Sequence, residues 1–168
     1  SLRRWRTGRP SRVSASETCT NVPVRPGILP TRSVNVAAVQ GAGAEVFAHP
    51  MDLMEAASLD AAADAVLARF GRVDVLINNA VYQDPEQNAL LMALDDGALE
   101  RTLWGNVVAP AHPVGRLLPA MSAQGGGQIV NVSSGAGKSD PPFAADRGGW
   151  GFAYGASKAA LARLSGCL

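Results

Sequence analysis

From about Thr31 onward the hydrophobic positions alternate between short apolar runs and helical stripes. "TRSVNVAAVQGAG" predicts a short helix capped by Thr31 and stopped at Gly41 or Gly43. "AEVFAHP" predicts a short strand ending at Pro50. In "EAASLDAAADAVLARFG", Leu59, Ala62, Ala63, Val66, Leu67 and Phe70 recur at helical spacing with charges opposite, and Gly71 supplies the stop. "VDVLINNA" is nearly continuously apolar from Val73 to Ile77, which suits a parallel strand covered on both faces. A loop with Asp84 and Pro85 leads to "LDDGALERTLWGNVVAPAHPVGRLLPAM". That long helical stretch opens at Asp95 or Asp96, and Pro110 and Pro113 predict a kink or a break in it. "GGGQIVNVSS" is a second glycine-bounded strand with Ile129, Val130 and Val132 as its apolar body. "GAGKSDPPFAADRGGWGF" reads as a loop, and a last helix starts near Tyr154. The alternation of strand and helix predicts the α/β class with a parallel sheet.

Composition limits the function classes. The length of 168 residues suits one domain with its own core, and no run of about 18 apolar residues predicts a membrane span. Cys19 and Cys167 lie near opposite ends without metal-ligand or redox spacing, which argues against a disulfide framework and fits a reducing cytoplasm. The net charge of +1 is uneven: residues 1–40 hold seven arginines against Glu17 alone, while the rest carries eight basic and thirteen acidic residues. A nucleic-acid arm and a transit peptide are two readings of such a start. Pro10, Pro23, Pro26 and Pro30 interrupt any periodicity there and no aromatic residues interleave for base stacking, so residues 1–30 read as a basic, irregular leader, with no nucleic-acid partner.

Three segments carry candidate chemistry. Tyr154 and Lys158 are four apart at the head of an apolar helix pattern, so both side chains project from one face. A lysine ammonium beside a phenol favours the phenolate, which suits a tyrosine acid/base; taken alone, the pair also fits an exposed packing contact. "IVNVSS" places Ser133 and Ser134 at the carboxyl end of a strand, where open α/β sheets bind ligands. "INNA" at 77–80 ends a second strand in polar groups at the same level; serine and asparagine in such places also serve turns. Asn106 falls inside a predicted helix, where asparagine is unfavourable. His49 and His112 have no partner at ligand spacing and read as structural or surface residues, so no metal is expected.

With these segments in this order, residues 31–168 resemble the short-chain dehydrogenase/reductase family. The resemblance rests on Asp52 in "MDL", "NNA" at 78–80, Asn106 in "WGNVVAP", Ser134 in "NVSSGAG", and Tyr154 with Lys158 in "YGASK". It implies a Rossmann-type doubly wound parallel sheet, incomplete here, that binds NAD or NADP, and reversible hydride transfer with a small-molecule alcohol or ketone. Tyr154 would donate or accept the proton, and Lys158 would lower its pKa and hold the nicotinamide ribose. Ser134 would hydrogen-bond the substrate oxygen, and Asn106 would position a water in a proton relay. Asp52 would contact the adenine, and Asn78 and Ala80 would line the cofactor cleft. An intact member would be a homo-oligomer.

The sequence also departs from that pattern. No TGxxxGxG turn follows a strand: Thr7-Gly8 lacks the later glycines, and "GAGAE" at 41–45 precedes a strand instead of following one. In the order 3-2-1-4-5-6 the strand "AEVFAH" would be third and would lack its neighbours, with only "RVSAS" and the proline-spoiled "NVPV" as substitutes. The family's strand and Pro-Gly loop beyond the Tyr154 helix are not found, and Val81 stands where glycine usually follows "NNA". The interval between Ser134 and Tyr154 is long; Phe143, Trp150 and Phe152 make it either a substrate-facing insert or a plain surface loop. A non-catalytic fragment or interaction module, associating with a full-length relative, is therefore the alternative expectation.

Overall fold

A computed structural model describes residues 2–4, 16–17, 40 and 43–168. The predicted helix over 31–43 and Cys19 lie outside these residues, apart from Gln40 and Gly43. The elements are β1 (Leu2–Arg4), β2 (Ser16–Glu17), β3 (Phe47–Ala48), α1 (Ala56–Phe70), β4 (Val75–Asn78), α2 (Asp96–Leu103), a π-helical turn (Trp104–Val108), α3 (Ala109–Ala123), β5 (Gln128–Asn131) and α4 (Phe152–Cys167). Single 3-10 turns lie at Leu91–Ala93, Gly135–Gly137 and Ala145–Arg147. One sheet has the order β1-β5-β4, and β2 pairs in parallel with β3. The Gln128 N–H donates to Asp74 O and the Val132 N–H to Asn78 O, a constant offset that makes β4 and β5 parallel as well. Among the described residues no helix is long and apolar enough to cross a membrane.

Local chemistry sets the element ends. Gly71 closes α1 in the left-handed region, with φ 72°, and its N–H donates to Leu67 O at 2.8 Å. Asp95 caps α2, its carboxylate accepting from the Ala98 N–H at 3.0 Å. The anticipated interruption of the long helix comes as the π turn just before Pro110 and not as a break at Pro113. The Ala109 N–H donates to Trp104 O, and Pro113 and Pro119 ride inside α3. The wider π ring absorbs one extra residue and lets the helix run on past its prolines.

The described residues form two compact units, one of 2–3, 77–111 and 129–168 and the other of 4, 16–17, 40, 43–76 and 112–128. The second unit buries Leu59, Ala62 and Ala63 of α1 and Val114, Leu117 and Met121 of α3, together with Val73 and Leu76. Its helices are also tied by charge: Arg116 clasps Asp64 through two hydrogen bonds of 2.6 and 2.7 Å, and His112 Nδ1 lies 3.0 Å from Asp60 Oδ1. The core of the first unit is made of small and polar side chains. Ala98, Thr102, Asn106 and Ala109 form one buried stripe, and Ala153, Ser157, Leu161 and Ser165 form another at four-residue spacing. Residues of this size let α4 pack closely against α2 and the π turn.

Two expectations about strands are corrected. Among the described residues β4 is not covered on both faces: Leu76 is buried, but Val75 is 37% and Ile77 59% exposed, and the strand lies at the edge of its sheet. An apolar run reports that side chains are apolar, and only neighbouring layers decide how many faces they bury. The strand at Phe47–Ala48 does have a neighbour, because Ser16–Glu17, at the end of the candidate "RVSAS", supplies a parallel two-residue pairing.

Candidate active site

The segment after β5 is fastened to α4 at several points. Ser133 Oγ donates to Lys158 O at 2.8 Å, and Lys158 Nζ donates to Val132 O at 3.3 Å. Ser134 accepts from the Ala136 N–H at 3.2 Å and so caps the 3-10 turn at Gly135–Gly137. That turn lies so close to α4 that a Cβ on Gly137 would sit 2.6 Å from the Lys158 carbonyl carbon. Only glycine permits the approach. Tyr154 and Lys158 share one face of α4, with Lys158 Nζ 6.0 Å from the centre of the Tyr154 ring. Lys158 is 4% exposed, and burial pushes its ammonium below the usual lysine range.

Asn106 sits in the π turn with 2% exposure. Its carboxamide takes up both backbone groups of Tyr82: the Tyr82 N–H donates to Oδ1 at 2.8 Å, and Nδ2 donates to Tyr82 O at 3.1 Å. Nδ2 also lies 3.4 Å from Ser157 Oγ, whose hydroxyl donates to Tyr154 O at 2.8 Å. Tyr82 packs tightly over the turn, since a Cβ on Gly105 would lie 2.3 Å from the Tyr82 Cβ. Asn78 donates from Nδ2 to Asn131 Oδ1 at 2.8 Å, and Asn131 Nδ2 donates to Ser165 Oγ at 2.8 Å. This buried relay joins the ends of β4 and β5 to α4. Ala80 is exposed beyond β4.

Asn106, Ser134, Tyr154 and Lys158 thus stand on elements that pack against one another within one unit. Asp52 belongs to the other unit. There its carboxylate accepts from the Met54 N–H at 2.8 Å, and its own N–H donates to Ser58 Oγ at 2.9 Å. In the long interval before Tyr154, Phe143 is 62% and Phe152 53% exposed. Trp150 lies against α4, with its ring 3.4 Å from a Cβ position on Gly155. Among the described residues no group of three or more His, Cys, Asp or Glu could hold a metal ion.

Sequence reasoning did not single out Asp84, a carboxylate in the loop after β4 that is 3% exposed as a residue. It accepts from Arg101 Nε at 2.8 Å and from the Glu86 N–H at 3.0 Å. Burial opposes its charge, but these hydrogen bonds and the Arg101 charge outweigh it and hold the carboxyl below its ordinary range. The same burial, with the Asp84 charge beside it, pushes the Tyr82 phenol upward.

A family model for short chain dehydrogenases matches residues 29–168. A fatty acyl-CoA reductase of Mycobacterium tuberculosis is 33% identical over 131 residues, 76% of this chain and 41% of that protein. Among solved structures, a metagenomic short-chain oxidoreductase in complex with NADP aligns with a TM-score of 0.67 and 34% identity, covering 78% of this chain and 55% of the other. An NAD+-bound xylitol dehydrogenase aligns with a TM-score of 0.64 and 32% identity, covering 76% and 46%. The chain spans 30%, 41% and 34% of the length of the first three curated relatives it matches. The fold is of the Rossmann type expected, with a small parallel sheet among the described residues. The chain belongs to the short-chain dehydrogenase/reductase family.

Proposed function

We propose that this chain carries the proton-transfer half of a nicotinamide-dependent oxidoreductase acting on a small-molecule alcohol or ketone. The observation that carries the reading is Lys158: a buried ammonium on the Tyr154 face, bonded among the described residues to one backbone carbonyl, with Tyr154 as its aromatic neighbour. A buried ammonium with one hydrogen bond has donors left for a polyhydroxylated ligand, so these residues fit the ribose of NAD or NADP. Tyr154 and Lys158 would hold that end of the cofactor, and Asn78 and Ala80 would line its cleft. Asp52 is proposed for the adenine end. When bound, the cofactor supplies or accepts the hydride.

The chain's own groups handle the proton. Tyr154 exchanges it with the substrate oxygen, Lys158 stabilises the phenolate electrostatically, and Ser134 donates a hydrogen bond to the same substrate oxygen. For the relay water assigned to Asn106, the carboxamide is already engaged by Tyr82. The carboxamide oxygen keeps a second lone pair, and that is the group we assign to the water. The protein would then act in the cytoplasm, and an intact member as a homo-oligomer.

Titration with NADH and with NADPH, followed by fluorescence or calorimetry, tests the cofactor. Binding weaker than about millimolar, roughly 4 kcal/mol, for both would refute it. A panel of alcohols and ketones then tests turnover. Replacing Tyr154 with Phe should remove it, by about 10² to 10⁴ in kcat, with cofactor binding retained. The exposure of Val75 and Ile77 on the edge strand favours a second reading, a module that associates with a longer relative. Size-exclusion chromatography separates the two, because a monomer with cooperative thermal unfolding counts against the module.

A further inference from the structure

α4 begins without any cap of its own. Its N-cap is Gly151, which has no side chain, and its first turn holds no acidic residue. The first N–H groups of a helix need partners from elsewhere in such a case. Here they come from the loop after β4. Asn88 Oδ1 accepts from the Gly151 N–H at 3.0 Å across 63 residues of sequence, and Gln87 O accepts from the Tyr154 N–H at 3.3 Å. A capping box satisfies this same pair, the N-cap and N3 donors, from within one helix. In this protein both acceptors arrive from a distant loop, and the N3 residue is Tyr154 itself.

Two further observations show the arrangement to be built for this contact. A Cβ on Gly151 would stand 2.6 Å from Asn88 Cα and 2.8 Å from Gln87 O, so a Ser, Thr or Asp cap is sterically excluded there. The loop that brings Asn88 is also anchored twice. Asn106 grips Tyr82 at its start, and Asp84, in an ion pair with Arg101, accepts from the Glu86 N–H in its middle. The chain from the π turn to the Tyr154 helix is therefore continuous: Asn106, Tyr82, Asp84, Asn88, Gly151, Tyr154.

We infer that Asn88 is a positioning residue for Tyr154: by capping α4 from the loop after β4 it sets where the phenol stands. This rests on Tyr154 being the acid/base proposed above. Asn88 is exposed, so its replacement leaves the buried core untouched. The test uses the full chain labelled with carbon-13 at tyrosine Cζ; its two tyrosines give two resonances, assigned with Tyr154→Phe. In Asn88→Ala the Tyr154 resonance should shift while that of Tyr82 stays. Exchange of the Tyr154 amide should quicken, and kcat should fall by about tenfold with the cofactor KM unchanged, since small misplacements of a reacting group are costly. Asn88→Asp keeps the acceptor oxygen and should restore the slow exchange and kcat. An Asn88→Ala protein with an unaltered Tyr154 resonance and exchange, or an Asp variant that exchanges as fast as the Ala variant, overturns the inference. Absence of turnover in the unmutated chain counts against the catalytic reading alone, because resonance position and exchange need no turnover.

Discussion

Asn106 holds Tyr82 by both of its backbone groups, accepting from the N–H at 2.8 Å and donating to the carbonyl at 3.1 Å. A side-chain amide used in this way mimics the edge of a strand and fixes the direction in which the chain leaves β4. Asn106→Ala strips a part-buried N–H and carbonyl of their partners at once. The expected loss is about 2 to 4 kcal/mol, read as a lower urea midpoint with the slope unchanged. An unaltered midpoint would show that water replaces the carboxamide without penalty.

Lys158→Met should separate stability from activity. Burial lowers the folded-state pKa of Lys158 from 10.5, so between that lowered value and 10.5 the unfolded chain binds the extra proton. Stability therefore rises with pH across this window, and the penalty for the buried charge is in full force below it. The Met variant should gain about 1 kcal/mol at neutral pH, lose the alkaline rise, and lose turnover. Thermal melts at neutral and alkaline pH give both slopes.

Asp84→Asn should have the opposite dependence. The carboxyl is held below 3.8 when folded, so its contribution is complete above that value and disappears as pH falls through the folded pKa. Replacing it is expected to cost about 1 to 3 kcal/mol at pH 7. The gap between the two proteins should close under acid conditions. A constant gap down to strongly acid pH would mean that the Arg101 pair carries no charge-dependent stability.

Much of the frame was legible in the sequence because its signals are local. The Asp95 cap, the Gly71 stop and the face shared by Tyr154 and Lys158 each need only a few neighbouring residues. What sequence reasoning missed depends on distant partners: Asn131 pairs with Asn78 across 53 residues, and Asn88 with Gly151 across 63. No period or motif reports such a pairing. Gly151 did carry a signal, a helix start with no capping side chain, which can be read as a demand for an acceptor from elsewhere. The bare face of β4 was illegible for another reason, since layer number is a property of the assembled sheet and not of an apolar run.

The small-residue core around α4 bears on heat capacity. Melting a region sealed by Ala98, Thr102, Asn106, Ala153 and Ser157 hydrates few methylenes and many polar groups, and these contribute to the heat-capacity change with opposite signs. A leucine-filled core of equal size would therefore give the Tyr154 region a more strongly curved dependence of stability on temperature than these residues do.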